Sequence, residues 1–288
     1  MLPQQENNLL SSFALWLDHT LLQKGQAYTN VSSYFYNTNQ VFTNYKVYAA
    51  PFKQFVYDTS VSGATVITGL YLSGNFITPG QGGFSGINYQ DGYAYFSSNI
   101  ITTGSISGTY AIKDFNIKMT SQSDEIILFE TKYQIRPKFN QGYSGLSPEI
   151  ETYPVIYIKN DGGQNNPFAF GGIADTRTRV RCFVISDSEF KLDAVKSILK
   201  DQKDGYIGLL TTGEMPFNSF GGLYNGNYNY ISKVASKQGS NLIFIDRVDV
   251  SKININTLAL TDLKKIGTHI FAGIIDFELS VVREPRIS

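Results

Sequence analysis

Residues 153–200, YPVIYIKNDGGQNNPFAFGGIADTRTRVRCFVISDSEFKLDAVKSILK, read as strand, glycine-rich connection, strand and helix. In the first strand Val155, Tyr157 and Lys159 share one face, and Pro154, Ile156 and Ile158 share the other. In the second, Val180, Cys182 and Val184 alternate with Arg179, Arg181, Phe183 and Ile185, the period-2 pattern of a two-faced strand. Ser186 and Glu189 have the spacing of a capping box, so the second strand should run directly into a helix start. Phe190, Ala194, Val195, Ile198 and Leu199 then form the expected apolar stripe. Nothing in this unit carries catalytic chemistry.

Working outward, residues 5–24 read as a second amphipathic helix. Leu10, Phe13, Leu17 and Leu21 recur at helical spacing, Leu9, Ala14 and Trp16 lie beside them, and Gly25 is the expected left-handed stop. Asp18 and His19 are adjacent there, but neighbours on a helix do not face each other, and no nucleophile motif accompanies them. From Tyr28 to Tyr57 aromatics are separated by Asn and Ser, which reads as extended chain with short strands. Residues 58–120 alternate most regularly. Val66, Thr68, Leu70 and Leu72 oppose Ile67, Gly69 and Tyr71, with turns expected at Ser73-Gly74-Asn75 and Asp91-Gly92. The stretch around Ile126–Phe129 reads as strand. Residues 205–233 read as a long exposed excursion, 240–252 as strand, 257–267 as a short helix and 268–282 as the closing strand.

These elements predict an α+β fold: a small mixed or antiparallel sheet flanked by helices, with an inserted antiparallel β-sandwich or barrel-like domain. The expected divisions are residues 1–40 (N-terminal helix and extended segment), 41–122 (the insertion) and 123–288 (the main α+β domain).

Composition narrows the function classes. Lys plus Arg and Asp plus Glu both number 24, and the cations are dispersed, which argues against a surface built on phosphate neutralisation. Gly80, Gly82, Gly83 and Gly86 fit neither GxGxxG nor a P-loop, and GGFSG is followed by Ile87 rather than completing GxSxG. Asp161, Asn165 and Asn166 lack the spacing of a calcium loop. Two distant histidines make no metal cluster, and Asp246 with Asp249 is the nearest thing to a carboxylate pair. The lone Cys182 reads as a buried small hydrophobe. The N-terminus does not read as a secretory signal, and no apolar run reaches a membrane span. The expectation is a soluble, non-enzymatic chain with no cofactor, no metal and no membrane partner.

The patches FALWLDHTLLQKGQAYTN (13–30), SGINYQDGYAYFSS (85–98), SGTYAIKDFNIKMT (107–120), TYPVIYIKN (152–160) and PFAFGG (167–172) resemble virion structural proteins of tailed bacteriophages. The element order resembles their neck and tail-terminator proteins. The resemblance implies a head-to-tail connector: a homo-oligomeric ring, taken as a hexamer, that ends the tail tube and docks the head. Its partners would be copies of itself and other neck, tail-tube or sheath proteins, with DNA at most passing through the lumen. It would be made in the host cytoplasm and reside in the virion. The inserted domain departs from a minimal terminator and leaves neck, collar or sheath-contacting positions open. Under this reading the subunit or partner contacts are Phe168, Phe170, and Phe217, Phe220, Tyr224 and Tyr228 of the 213–230 stretch, then Tyr89, Tyr93 and Tyr95 of the insertion. The alternative class is a tail-associated β-rich module that recognises glycan or host surface through exposed tyrosines, against which the single tryptophan, Trp16, sits in a helix stripe.

Overall fold

The computed structural model describes residues 5–42, 44–98, 104–124, 126–127, 153–169, 172–216, 228–253 and 271–283. Helix α1 (Gln5–Gly25) opens the chain, followed by β1 (Tyr28–Phe42), β2 (Tyr45–Ala49), β3 (Leu70–Leu72), β4 (Asn75–Ile77), β5 (Phe84–Asn88), β6 (Tyr93–Ser97), β7 (Ile106–Lys113) and β8 (Asn116–Met119). Then come β9 (Val155–Ala169), β10 (Ile173–Ser186), α2 (Glu189–Lys200), β11 (Tyr206–Gly208), α3 (Tyr230–Val234), β12 (Leu242–Ile253) and β13 (Phe271–Arg283).

Seven strands form one sheet in the order β4-β3-β7-β1-β2-β6-β5. Its organiser is β1. Residues 28–35 pair with β7, and residues 36–42 pair with β2 across a register shift, so one long strand serves both halves of the sheet. The edge strands β4 and β5 are consecutive, joined by a tight turn in which Gly80 N–H donates to Phe84 O at 2.7 Å. The sheet therefore curls most of the way round a core of Phe35, Phe55, Phe84, Tyr89, Phe96 and Tyr110. The β3–β4 hairpin turns on Ser73 (φ 50°) and Gly74 (φ 86°), the two positive-φ positions that a two-residue turn of this hand needs.

The second sheet has the order β11-β12-β13-β10-β9-β8, antiparallel except for β8 beside β9. One face of it packs on α1 and α2. Phe13 and Trp16 meet Phe277, with ring centroids 5.0 and 6.0 Å away, and Ile156, Ile158, Val180, Cys182 and Val184 complete this core. Val155, Tyr157, Phe183 and Ile185 point the other way and pack with Ile127 and Ala272. The face assignment read from residues 153–186 holds.

The expected helix-flanked α+β arrangement does not. Among the described residues strands hold 49% and helices 22%, in two sheets that both approach barrels. The main reason lies in residues 160–177, read as a glycine-rich connection, of which 160–169 and 173–177 are the outer halves of the paired strands β9 and β10. Glycine and asparagine have low intrinsic strand preference, but cross-strand pairing overrides it. Asn165 Oδ1, for example, accepts from Thr176 Oγ1 at 2.7 Å across the ladder.

Smaller expectations also give way. Residues 66–69 are not strand, and it is Ile67 and Leu70 that are buried, so the expected alternation breaks at Thr68-Gly69. Asp124 and 126–127 are helical backbone rather than strand. The Ser186–Glu189 capping box does not form. Ser188 is the N-cap, Ser186 Oγ donates to Ser188 O, and the stripe of α2 is Leu192, Val195 and Leu199, with Phe190 83% exposed. At the end of α1 the left-handed residue is Gln26 (φ 47°), not Gly25. Gly25 is small for another reason: a Cβ there would lie 3.1 Å from Ile198 Cδ1, so its size sets how closely α2 can approach. The short helix expected at 257–267 lies outside the described residues.

Candidate interaction surfaces

The face of the six-stranded sheet turned away from the helices is ionic along β10. Because Val180 and Cys182 point inward, Arg177, Arg179 and Arg181 are carried outward by the strand period. Arg181 grips Asp276, its cross-strand neighbour, through both Nε (2.7 Å) and Nη2 (3.1 Å), and reaches Asp124 through Nη1 (3.3 Å). Arg177 donates to Asp175 (2.8 Å) and to Glu278 (3.2 Å). Hydrogen bonds to these carboxylates push both guanidinium pKa values further up. Beside them a cleft of about 270 Å³ is lined by Asp161, Arg179, Arg181, Arg247, Asp249, Asp276 and Glu278. Four acids against three arginines leave it close to neutral, unlike a phosphate pocket. Burial, aided by Asp175 and Glu278, raises the carboxyl of Asp246.

At the margins of this sheet the outermost strands are short. Strand β8 covers β9 only along Val155–Ile158, and β11 covers β12 only along Leu242–Phe244. Among the described residues no strand pairs with the outer edge of β9 from Asn160 to Ala169, nor with that of β12 from Arg247 to Ile253. Through the ladder Thr178 aligns with both Gly163 and Leu279, and Leu279 aligns with Ile245. The two uncovered edges therefore lie on opposite sides of the sheet and toward opposite ends.

Two polar clusters lie at the junction of the two sheets. His19 Nδ1 is 2.7 Å from Asp58 Oδ2, and Ser60 Oγ donates to Asp58 Oδ1 at 2.6 Å. Asp58 also accepts the backbone N–H groups of Ser60 and Tyr230, and the bonds from His19 and Ser60 lower its pKa despite its burial. A serine–histidine–aspartate relay needs its hydroxyl and carboxylate on opposite ring nitrogens, whereas Asp58 and Ser60 (3.5 Å) both approach Nδ1. This cluster ties α1 to the start of α3, with the His19 ring stacked on Tyr230 at 4.7 Å. Adjacent on α1, Asp18 and His19 address different partners, as neighbours on a helix do. Asp18 Oδ1 receives Lys113 Nζ at 2.6 Å, both side chains being 8% exposed, and Lys113 lies 4.2 Å over the Tyr57 ring. Burial first and Asp18 second push the Tyr57 hydroxyl well above its usual pKa. The pair borders a cleft of about 220 Å³, whose lining includes Gln54, Tyr89, Gln90 and Asn116. Nothing in the sequence connected Asp18 with Lys113 or His19 with Asp58, because these pairs are 95 and 39 residues apart. Among the described residues no group of three or more His, Cys, Asp or Glu side chains is placed to hold a metal. No described helix is long and apolar enough to cross a membrane.

The residues singled out as contacts are scattered. Phe170, Phe217, Phe220 and Tyr224 lie outside the described residues, and of Phe168 the backbone alone is described, near the tip of the β9–β10 hairpin. Tyr228 makes an isolated bridge with Asp58 and packs on Tyr57, with ring centroids 5.9 Å apart. Tyr89 is 2% exposed, and its hydroxyl donates to Ile67 O inside the first barrel. Tyr93 and Tyr95 are half-buried on β6, and Tyr95 meets Tyr45 edge-on at 6.4 Å. The surface features that the sequence does not signal are the edges of β9 and β12 that no described strand covers; the outer half of β9 is rich in glycine and asparagine and reads as loop. No protein-family model and no curated protein matches the chain.

Proposed function

We propose that the chain is a structural protein of a tailed-phage virion that closes into a ring at the neck or tail end, connecting or terminating the tail. The observation that supports this reading is the pair of strand edges, on β9 and on β12, that no described strand covers. They are different surfaces at opposite sides of one sheet. Pairing one edge with the other on the next copy is a heterologous contact, which generates a ring wherever the rotation closes. Their offset along the sheet matches a ring whose strands are tilted, since closing a sheet on itself requires a shear between its ends. Main-chain pairing supplies the affinity in such additions. The sequence patches that resemble virion proteins support the same class.

The test is mass photometry and negative-stain imaging of the purified full chain over a concentration series, with single prolines at Asp249 and Val250. Of two adjacent strand residues one directs its N–H outward, so one of these prolines removes an edge donor while leaving the ladder to β13 intact. A closed ring of about six copies that this folded proline variant fails to form is the expected result. A chain that stays monomeric throughout, or rings indifferent to both folded variants, refutes the proposal.

A further inference from the structure

The seven-stranded barrel carries an organised aromatic row on its outside. Tyr34 of β1 and Tyr71 of β3 both pair with Ser107 of β7, which lies between them, and Phe76 of β4 pairs with Tyr71. The four residues thus form one line running across the strands. The three aromatics are 56%, 43% and 51% exposed, although alternate positions on the same strands, such as Phe35 and Leu70, are buried. Two strand spacings separate Tyr34 from Tyr71, about 9.5 Å, and the rings of Tyr71 and Phe76 meet edge-on at 5.3 Å. The Phe76 ring is also seated: a Cβ on Gly69 would come within 2.5 Å of its Cζ, so glycine makes the room in which the ring lies. Just beyond the row, Ser32 and Thr109 face outward as a hydrogen-bonded hydroxyl pair, 2.8 Å apart.

The charge around this row is the second observation. Residues 59–90 contain no Asp, Glu, Lys, Arg or His, and from Gln26 to Ile112 the charged side chains are Lys46, Lys53, Asp58 and Asp91 alone. Lys53 and Asp58 are buried, and Asp91 belongs to the β5–β6 turn. A stacking platform for single-stranded nucleic acid needs a cationic groove along the backbone, and a membrane-surface face needs basic residues beside its apolar ones. This face has neither. Rings on a rigid sheet, spaced by hydroxyl side chains and free of charge, match an uncharged polymer that presents apolar C–H faces and hydroxyl edges by turns.

We infer that the outer face of β1, β7, β3 and β4 binds a neutral, extended polysaccharide, whose sugar rings stack on Tyr34, Tyr71 and Phe76. The chain would cross the strands, with alternate sugars meeting Tyr34 and Tyr71 and the intervening hydroxyls meeting Ser107. This does not depend on ring formation at the other sheet.

The test is affinity electrophoresis of the full chain in gels containing hydroxyethylcellulose, xylan, glucomannan or dextran, with heparin as the charged comparison. The variants are Tyr71→Ala and Tyr34→Ala, and Phe190→Ala serves as an exposed aromatic outside the row. The expected result is retardation by at least one neutral polymer, reduced tenfold or more in Tyr71→Ala and unchanged in Phe190→Ala, with equal thermal melts. Mass photometry on the same samples separates the remaining outcomes. If no neutral polymer retards the protein, if Tyr71→Ala is retarded like wild type, or if Tyr71→Ala instead abolishes oligomers, the inference is overturned. The last case would make the face a contact between copies.

Discussion

Replacing Asp18 by Asn tests whether the buried ion pair at the junction of the two sheets is a mutual necessity or a net source of stability. Asp18 sits on α1 and Lys113 at the end of β7, so the pair links the helix layer of one sheet to the barrel of the other. At 2.6 Å, and with an effective dielectric near 20, their attraction is about 6 kcal/mol. Removing each ion from water costs several kcal/mol, so the pair as a whole comes out near zero. Taking away one partner is different. Asp18→Asn removes the charge that balances the Lys113 ammonium and leaves it buried with a neutral carboxamide oxygen and the faces of Tyr57 and Phe115, at 4.2 and 6.0 Å. The cation–π contacts return about 1–2 kcal/mol, and the expected loss is about 3–4 kcal/mol. Lys113→Met alone, which strands the carboxylate, should cost a similar amount. The double variant Asp18→Leu/Lys113→Met should lie within about 1 kcal/mol of wild type, a coupling of several kcal/mol between the sites. Urea unfolding followed by far-UV circular dichroism and by Trp16 fluorescence measures this. Trp16 is the single tryptophan and is 7% exposed against Phe277, so it reports directly on the six-stranded sheet. Single variants within 1 kcal/mol of wild type, or a double variant whose cost is the sum of the two, would refute the reasoning.

Two further outcomes follow from local geometry. Glu214 accepts from Thr211 N–H (2.8 Å) and holds Lys237 at 2.6 Å, an environment that lowers its pKa to about 2. A depressed acid pKa gives stability that is present above the unfolded value, about 4.5, and is lost as pH falls toward 2. The side chain is 32% exposed, so after allowing for solvent screening Glu214→Gln should cost about 1 kcal/mol at pH 7 and only a small fraction of that at pH 2, read from urea midpoints at the two pH values. Gly92 has φ +70°, and a Cβ there would run into the Phe52 carbonyl, a backbone atom that cannot swing aside. Gly92→Ala should therefore cost about 2–3 kcal/mol or more, and a thermal melt unchanged from wild type would contradict the turn geometry.

What the sequence made legible was the part governed by period. The faces of β9 and β10, the helical run of α1 and the hairpin at Ser73-Gly74 all came out as read, because each is specified by neighbours two to four positions apart. What it hid was specified by partners far away. Of the β-branched residues that mark a strand, residues 160–177 hold only Ile173 and Thr176, and the segment pairs as strand because β10 is held on its other side by thirteen paired residues of β13. Misreading it displaced the fold class, since one long hairpin turns a small sheet into a large one. The helix signals failed at the termini for a related reason. Ser186 had the right spacing to cap α2 but is the last residue of β10, committed to the ladder opposite Phe271, so the cap fell to Ser188. Residue type alone could not separate Tyr89, a candidate contact that points into the barrel, from Tyr71, which was not a candidate and points out. That depends on where each falls relative to β7 and the interior packing.

The division of charge between the two sheets bears on how one chain could hold two kinds of surface. In the first barrel nearly every polar group is a hydroxyl, carboxamide or backbone group. Its folding and any binding on its face should change little with salt or pH. The six-stranded sheet carries its outer face on ion pairs such as Arg181–Asp276 and Arg177–Glu278, which are partly exposed and open to screening. The uncovered stretch of β12 carries Arg247, Asp249 and Lys252 and that of β9 carries Asp161, so association across those edges should respond to ionic strength, while retention of the barrel on a neutral polymer should not. Measuring both at 50 mM and 500 mM salt therefore separates the two surfaces within the intact protein. A joint response would mean that one surface serves both.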